Sequence, residues 1–422
     1  MAIPLILGSL LEPLAGIVDT AFVGHLGPKN LAALGVGVSV FNSFFWVFNF
    51  LIHIPMESVA RGQVLGREAL VAQAKIGLIS ALAVGLISFF ILYMLAGPIL
   101  SFAGAQSETI GLSREYYLVR VFGQPVVLVY FCLLSILRGT GRVKVSLIPV
   151  ACSVLLNIVL TYIFIYHLEL GLKGAALGTV TSYIVGLGIT ILLLYREFGI
   201  SLFYFKDLPG LEGFSNFSKK SGFLFVRSFC LTGIFFISAK VSAEISVYSI
   251  SSYQIALQFW LFSSYFLDGL AMVGNMEAAK LSAEGNSKRF LDFCGKLFNL
   301  SFGIGFIFTA TYFIFSDQLF SLFTTNKKIL ESLEVIWPIV LGGQIINALA
   351  FSIDGIYFGL GKHSRLAKMM VINLIVVFLP CAYLSISKGS LRILMLGLLF
   401  TSIFRWFYLK RNISDDFHDH RL

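Results

Sequence analysis

Two carboxylates stand in the first apolar run of this 422-residue chain: Asp19, within Ile3 to Val23, and Glu12, seven residues earlier. On a helix that spacing is two turns, so both side chains fall on one stripe, roughly 10 Å apart along the axis. A charge at membrane depth costs about 2.5 kcal/mol or more. It is kept there only where it faces a cavity or a partner. The chemistry expected of Asp19 is reversible gain and loss of a proton or another cation. Burial disfavours its charged form, and a neighbouring amide can hydrogen-bond either form. The competing role is a structural carboxylate tied to polar groups of adjacent helices. Glu12 lies nearer the chain start and the interface, and the two roles stand even for it. Pro4 and Pro13 in the same run remove backbone hydrogen bonds and make a bend cheap.

The elements that hold these acids must be membrane spans. Hydrophobic residues make up 57% of the chain and charged residues 13%, against about 25% charged in soluble domains. A span needs about 20 apolar residues. Twelve runs qualify: 3–23, 31–55, 76–99, 116–137, 145–166, 174–195, 222–243, 247–273, 295–316, 334–358, 367–386 and 391–409. Spans seven and eight are divided only by Ser242-Ala243-Glu244. The expected fold class is an all-α polytopic membrane protein. The first run shows no cleavage site of a signal peptide.

Basic residues cluster in alternate loops. Arg61, Arg67 and Lys75, then Arg138, Arg142 and Lys144, Lys219 and Lys220, Lys362 and Arg365, and Lys410 and Arg411 mark one side. The positive-inside rule makes that side cytoplasmic. Both termini are then inside, in agreement with an even number of spans, and the plasma (inner) membrane is the expected location. The net charge of +9 is accounted for by these loops, so no nucleic-acid partner is expected. Five scattered cysteines have no metal or redox spacing, and no metal site or cofactor is expected.

Further polar residues lie in the second half. Asp268 and Asp354 each precede a glycine that admits a neighbouring helix. They either line a substrate cleft or pair with a base such as Arg227 or Lys240. Gln254, Gln344, Asn347 and Asn373 are cleft candidates whose other role is interhelical hydrogen bonding. Phe41, Phe45 and Trp46 offer aromatic faces to a cation, with packing as the commoner use. His25 and His53 fall near span ends, where a solvated imidazole is expected. Gly139, Gly141, Gly359 and Gly361 read as tight-turn residues.

The chain repeats itself at an offset of 220. Met56-Glu57-Ser58 returns as Met276-Glu277-Ala278, Arg138-Gly139-Thr140-Gly141-Arg142 as Phe358-Gly359-Leu360-Gly361-Lys362, and Gly123 as Gly343. Six spans per half preserve orientation, so the halves are parallel repeats. The expected organisation is an N-terminal six-helix bundle (1–195), a cytoplasmic linker (196–220), a C-terminal six-helix bundle (221–411) and a short mobile polar tail (412–422). The bundles would face each other across a central cleft.

The run Pro13-Leu14-Ala15-Gly16-Ile17-Val18-Asp19-Thr20-Ala21-Phe22-Val23-Gly24 resembles the first-helix signature of multidrug and toxic compound extrusion (MATE) transporters, especially the branch of DNA-damage-inducible protein F. Leu137-Arg138-Gly139-Thr140-Gly141, Asn157-Ile158-Val159-Leu160, Gly174-Ala175-Ala176-Leu177-Gly178-Thr179 and Tyr253-Gln254-Ile255-Ala256-Leu257 extend the likeness along the chain. The resemblance implies a cation-coupled antiporter, with protons or sodium, exporting small cationic or amphipathic molecules. It makes Asp19 the coupling carboxylate and Asn157 its neighbour. Some members carry a second acid one turn after that Asn, where this chain has Thr161, and Glu12 is the only nearby substitute.

No phosphate-binding loop or His-Glu-x-x-His motif is present, so no enzymatic activity is expected. The alternative function is a lipid-linked saccharide flippase of similar two-bundle architecture. That would need several basic residues in the cleft to hold pyrophosphate, whereas the mid-span charges noted above are mostly acids. A monomer in membrane lipid is expected, because one chain supplies both halves.

Overall fold

Inside a bilayer, backbone polar groups must be satisfied within the protein, and a helix does this within one segment. The computed structural model accordingly describes residues 2–105, 108–204 and 209–418 as helices and short connections; the side chains of Glu12, Phe45 and Ile200 lie outside the described residues. The chain divides into two compact units, 3–221 and 222–422.

In the first unit the helices are α1 (Ala2–Gly24), α2 (Pro28–Val47), α3 (Phe50–Leu65), α4 (Arg67–Met94), the short α5 (Ala96–Phe102), α6 (Ile110–Gly139), α7 (Leu147–Tyr162) and α8 (Gly171–Phe198), and α9 (Leu211–Ile245) begins there. The second unit holds the rest of α9 with α10 (Val247–Glu284), α11 (Ser287–Ile314), the short α12 (Ser316–Ser321), α13 (Lys327–Gly359), α14 (His363–Ile372), α15 (Leu379–Lys388) and α16 (Leu391–His418). Wider π turns follow α7 at Ile163–His167 and join α14 to α15 at Asn373–Phe378.

Eleven helical stretches among the described residues are long and apolar enough to cross a membrane. The twelfth expected span, 31–55, is built from α2 and α3, which break at Phe48-Asn49. Every expected span therefore has a helical counterpart.

Several expectations are corrected. The division between spans seven and eight falls at Ser246, whose hydroxyl caps α10 by accepting from the Ser249 N–H at 3.0 Å. The connection 196–220 is not an open linker, because α9 starts at Leu211 and its Lys220 is anchored to Glu57 at 2.8 Å. The tail at 412 continues α16 to His418. Ile413 and Phe417 are buried there, and Phe417 stacks on Phe290. Pro4 sits in the first turn of α1, where its missing N–H costs no intrahelical bond. Pro13 is interior and leaves a real gap in the ladder. His53 is buried inside α3 rather than solvated.

Glycines set the closest approaches. On α8, Gly174, Gly178, Ser182 and Gly186 form a buried small-residue stripe at four-residue spacing. A Cβ at Gly178 would lie 2.4 Å from the Thr161 hydroxyl of α7, and one at Gly186 would lie 2.0 Å from the Ser153 hydroxyl. In the second unit α10 and α13 meet backbone to backbone: a Cβ at Gly355 would be 2.2 Å from the Ala271 carbonyl, and one at Gly359 would be 2.2 Å from that of Asn275. Gly139 is held likewise against the Met56 carbonyl. Gly139 and Gly359 therefore serve helix contact, and only Gly141 and Gly361, with φ of 80° and 67°, are left-handed turn residues.

Candidate functional site

The packing of α1, α2, α6, α7 and α8 leaves a cavity of about 140 Å³ within the first unit. Asp19 lines it from α1, Phe41 and Asn42 from α2, Tyr116 and Arg120 from α6, Ser153 and Asn157 from α7, and Thr179 and Ser182 from α8. The close α7–α8 approach at Gly178 is what sets Asn157, Thr161 and Thr179 side by side.

Thr161, Asn157 and Thr179 all interact with Asp19 through their side chains. The Thr179 hydroxyl donates to Asp19 Oδ2 at 3.2 Å and has a second acceptor, the Ala175 carbonyl, at 3.0 Å. Asn157 Nδ2 stands at 3.5 Å from the same Asp19 oxygen, 3.3 Å from Thr179 Oγ1 and 3.4 Å from Thr161 Oγ1. These amide contacts are long and individually weak. Asp19 Oδ1 and Asn157 Oδ1 are buried without a hydrogen-bond partner. Such orphaned acceptors cost about 1–3 kcal/mol each.

The cluster can hold both states of the acid. When Asp19 is charged, the single Thr179 proton can point to it. When Asp19 is neutral, that proton can turn to Ala175, and the Thr179 oxygen is free to accept from Asn157. Asp19, Asn157, Thr161 and Thr179 together offer only oxygen acceptors besides one amide, which suits a proton or a hard monovalent cation and no transition metal. No cluster of three metal-ligating His, Cys, Asp or Glu occurs among the described residues.

Glu12 is on α1, but its side chain lies outside the described residues. Phe41, with packing as its commoner expected use, carries Arg120 on its face, the guanidinium carbon 4.9 Å from the ring centroid. The same guanidinium stands 5.9 Å from the Tyr116 ring and donates to its hydroxyl at 3.2 Å. Arg120 was not singled out from sequence because it follows the start of an expected span by one turn and reads as an interfacial base. Its tell is its position beside Tyr116 on the face that faces Asp19.

In the second unit the polar candidates divide. Asp354, on α13, is buried between two guanidiniums, Arg227 of α9 and Arg405 of α16; the Arg405 contact is 2.6 Å. This is the structural pairing that competed with a cleft role. Asp268 on α10 is partly exposed. Asn347 accepts from Ser402 at 2.6 Å, Asn373 donates to the Thr401 carbonyl at 3.0 Å, and Gln344 donates to Val340 at 3.2 Å, so these three bond helix to helix or along their own helix. Gln254 is exposed on α10. Asp416 near the end of α16 accepts from Tyr357 at 2.8 Å and pairs with Arg365 at 3.0 Å.

Known proteins resemble this chain in sequence and in fold. A sequence profile described as MatE matches residues 4–163 and again 224–384, two matches starting 220 residues apart. Protein DETOXIFICATION 44, chloroplastic, of Arabidopsis thaliana is 29% identical over 391 residues, covering 88% of this chain and 73% of that protein. The multidrug export protein MepA of Staphylococcus aureus is 25% identical over 389 residues, covering 91% and 85%. A mutant of the Vibrio cholerae MATE transporter VcmN superimposes with a TM-score of 0.90 at 17% identity, covering 98% of this chain and 96% of that one. The last likeness concerns the fold, which is that of a twelve-helix transporter. With the profile covering well over half of its residues, the chain is an integral membrane protein that belongs to the MatE family, whose members are transporters rather than enzymes.

Proposed function

We propose that this protein exports small cationic or amphipathic organic molecules by alternating access, driven by antiport of protons or sodium at Asp19. The observation that carries this reading is the half-buried Asp19 carboxylate on the wall of a cavity, its Oδ1 buried without a partner and Thr179 able to serve its charged and its neutral form. Cation uptake at Asp19 removes the one negative charge on that wall and loosens its ties to α7 and α8. The interior gap left by Pro13 lets α1 repack in response. Coupling follows if the cation and the substrate favour different states of α1.

The cavity of about 140 Å³ is smaller than the roughly 300 Å³ at which drug-sized pockets begin. A drug-sized ligand would need another state of the helices around it. The loop charges support cytoplasmic termini and a location in the plasma membrane, with a monomer as the working unit and no cofactor beyond the coupling ion.

The test is efflux of ethidium from proteoliposomes under an imposed pH or sodium gradient, with wild type beside Asp19→Asn. Wild type responds to one of the two gradients, and the variant responds to neither. Equal rates for the two proteins would overturn the reading.

A further inference from the structure

The cavity wall carries one base as well as one acid, and the base has donors to spare. Arg120 presents five N–H donors. Its one hydrogen-bond partner among the described residues is the Tyr116 hydroxyl at 3.2 Å. The guanidinium is held between the Phe41 and Tyr116 rings, so it is oriented before any ligand arrives. Tyr116 is itself fixed, because its ring fills the space that Gly37 leaves open on α2: a Cβ there would lie 2.4 Å from the ring. A second polar group on the same wall is unpartnered. The Ser153 hydroxyl is nine-tenths or more buried, lines the cavity and has no hydrogen-bond partner.

The cavity is therefore two-poled. Asp19 Oδ1 and Asn157 Oδ1 are acceptors without donors, and the half-buried Arg120, which also feels the charge of Asp19, has N–H groups beyond its one bond to Tyr116. Asp19 and Arg120 are the only charged residues on its described wall. A purely cationic ligand would satisfy one pole and be repelled by the other. A purely anionic ligand would meet the reverse. A ligand with both charges satisfies both.

We infer that the substrate of this site is a small zwitterion bearing an ammonium group and a carboxylate, the ammonium on Asp19 and Asn157 and the carboxylate on Arg120. This rests on the reading of Asp19 as the coupling acid and departs from it on the substrate: at this cavity a zwitterion takes the place of a purely cationic molecule. It also gives antiport a direct cause. The substrate ammonium and the coupling cation need the same Asp19 oxygens, so they exclude each other in one state. Arg120 contributes affinity and orientation without contacting the coupling ion, and is a specificity-determining residue.

The test uses matched trios: glycine, alanine and leucine, each with its methyl ester (cation only) and its N-acetyl derivative (anion only). Binding to the purified full-length protein in nanodiscs is read by isothermal titration calorimetry at two pH values. At least one free amino acid is expected to bind about tenfold or more tightly than both of its derivatives. Arg120→Gln should weaken that amino acid about ten- to hundredfold, the range of a charge-assisted hydrogen bond, and leave the ester bound as tightly or more tightly, which also shows that the variant is folded. Arg120→Lys should fall between, since it restores the charge without the fork. Esters binding as well as amino acids in every trio, or no binding by any amino acid, would overturn the zwitterion assignment. If esters still compete with protons or sodium in wild type and lose that competition in Asp19→Asn, the coupling reading survives that failure. If no ligand competes with either cation, the coupling reading fails as well.

Discussion

At the scale of single residues, the account turns on which oxygens Asp19 can share. Thr179→Val keeps the shape and removes the hydroxyl that donates to the carboxylate at 3.2 Å. A hydrogen bond to a charged group is worth about 1.5–3 kcal/mol, so cation affinity should change about ten- to hundredfold in this variant, measured as the shift in the pH or sodium concentration at half-maximal transport. No shift would remove Thr179 from the site. Asp354 behaves differently. Asp354→Asn removes the carboxylate that both buried guanidiniums contact and leaves them with the charge of Asp268, a loss of up to about 3–5 kcal/mol that thermal unfolding in detergent would register. Replacing all three by apolar residues of similar size should recover most of that stability, as buried ion clusters commonly allow. If the triple replacement stays as unstable as Asp354→Asn, the cluster is more than a balanced set of charges.

At the scale of elements, the sequence made the helices legible because each span is a long apolar run, and span periodicity needs no tertiary knowledge. Their ends were less legible. The start of α9 at Leu211 and the last turns of α16 are polar on one face and carry charges, so they read as linker and tail. The contacts of Lys220 with Glu57 and of Asp416 with Tyr357 and Arg365, with the burial of Ile413 and Phe417, hold those turns against the rest of the protein. The candidate site was half legible. Asp19 and Asn157 stood out as polar groups at membrane depth, whereas Thr179 and Arg120 gained meaning only once the Gly178 contact and the Phe41 and Tyr116 rings placed them on one cavity. That contact is itself testable. Gly178→Val drives a side chain into Thr161 and should destabilise the protein by about 1–3 kcal/mol while weakening transport. Gly188→Val, on the same helix with open space around it, should do neither.

At the scale of the whole chain, duplication is visible twice, in the motifs at offset 220 and in the two profile matches that start at residues 4 and 224. The halves are not chemically equal. The position 220 residues after Asp19 is Ala239, so the counterpart helix has no acid at that level. Coupling at Asp19 is accordingly assigned to the first half alone. The proposed orientation can be checked in a variant freed of its five cysteines. Lys29→Cys and Arg67→Cys place a thiol at exposed positions in successive loops, which the topology puts on opposite sides of the membrane. An impermeant maleimide should label the first in intact cells and the second only after permeabilisation. The opposite pattern would invert the topology.

The central claim is that Asp19 takes up and releases a cation, and infrared difference spectroscopy of the protein in lipid tests it without needing a substrate. On acidification, or on withdrawal of sodium at constant low pH, wild type should gain a protonated carboxyl band that Asp19→Asn lacks. Identical difference spectra for the two proteins under both changes would contradict the account.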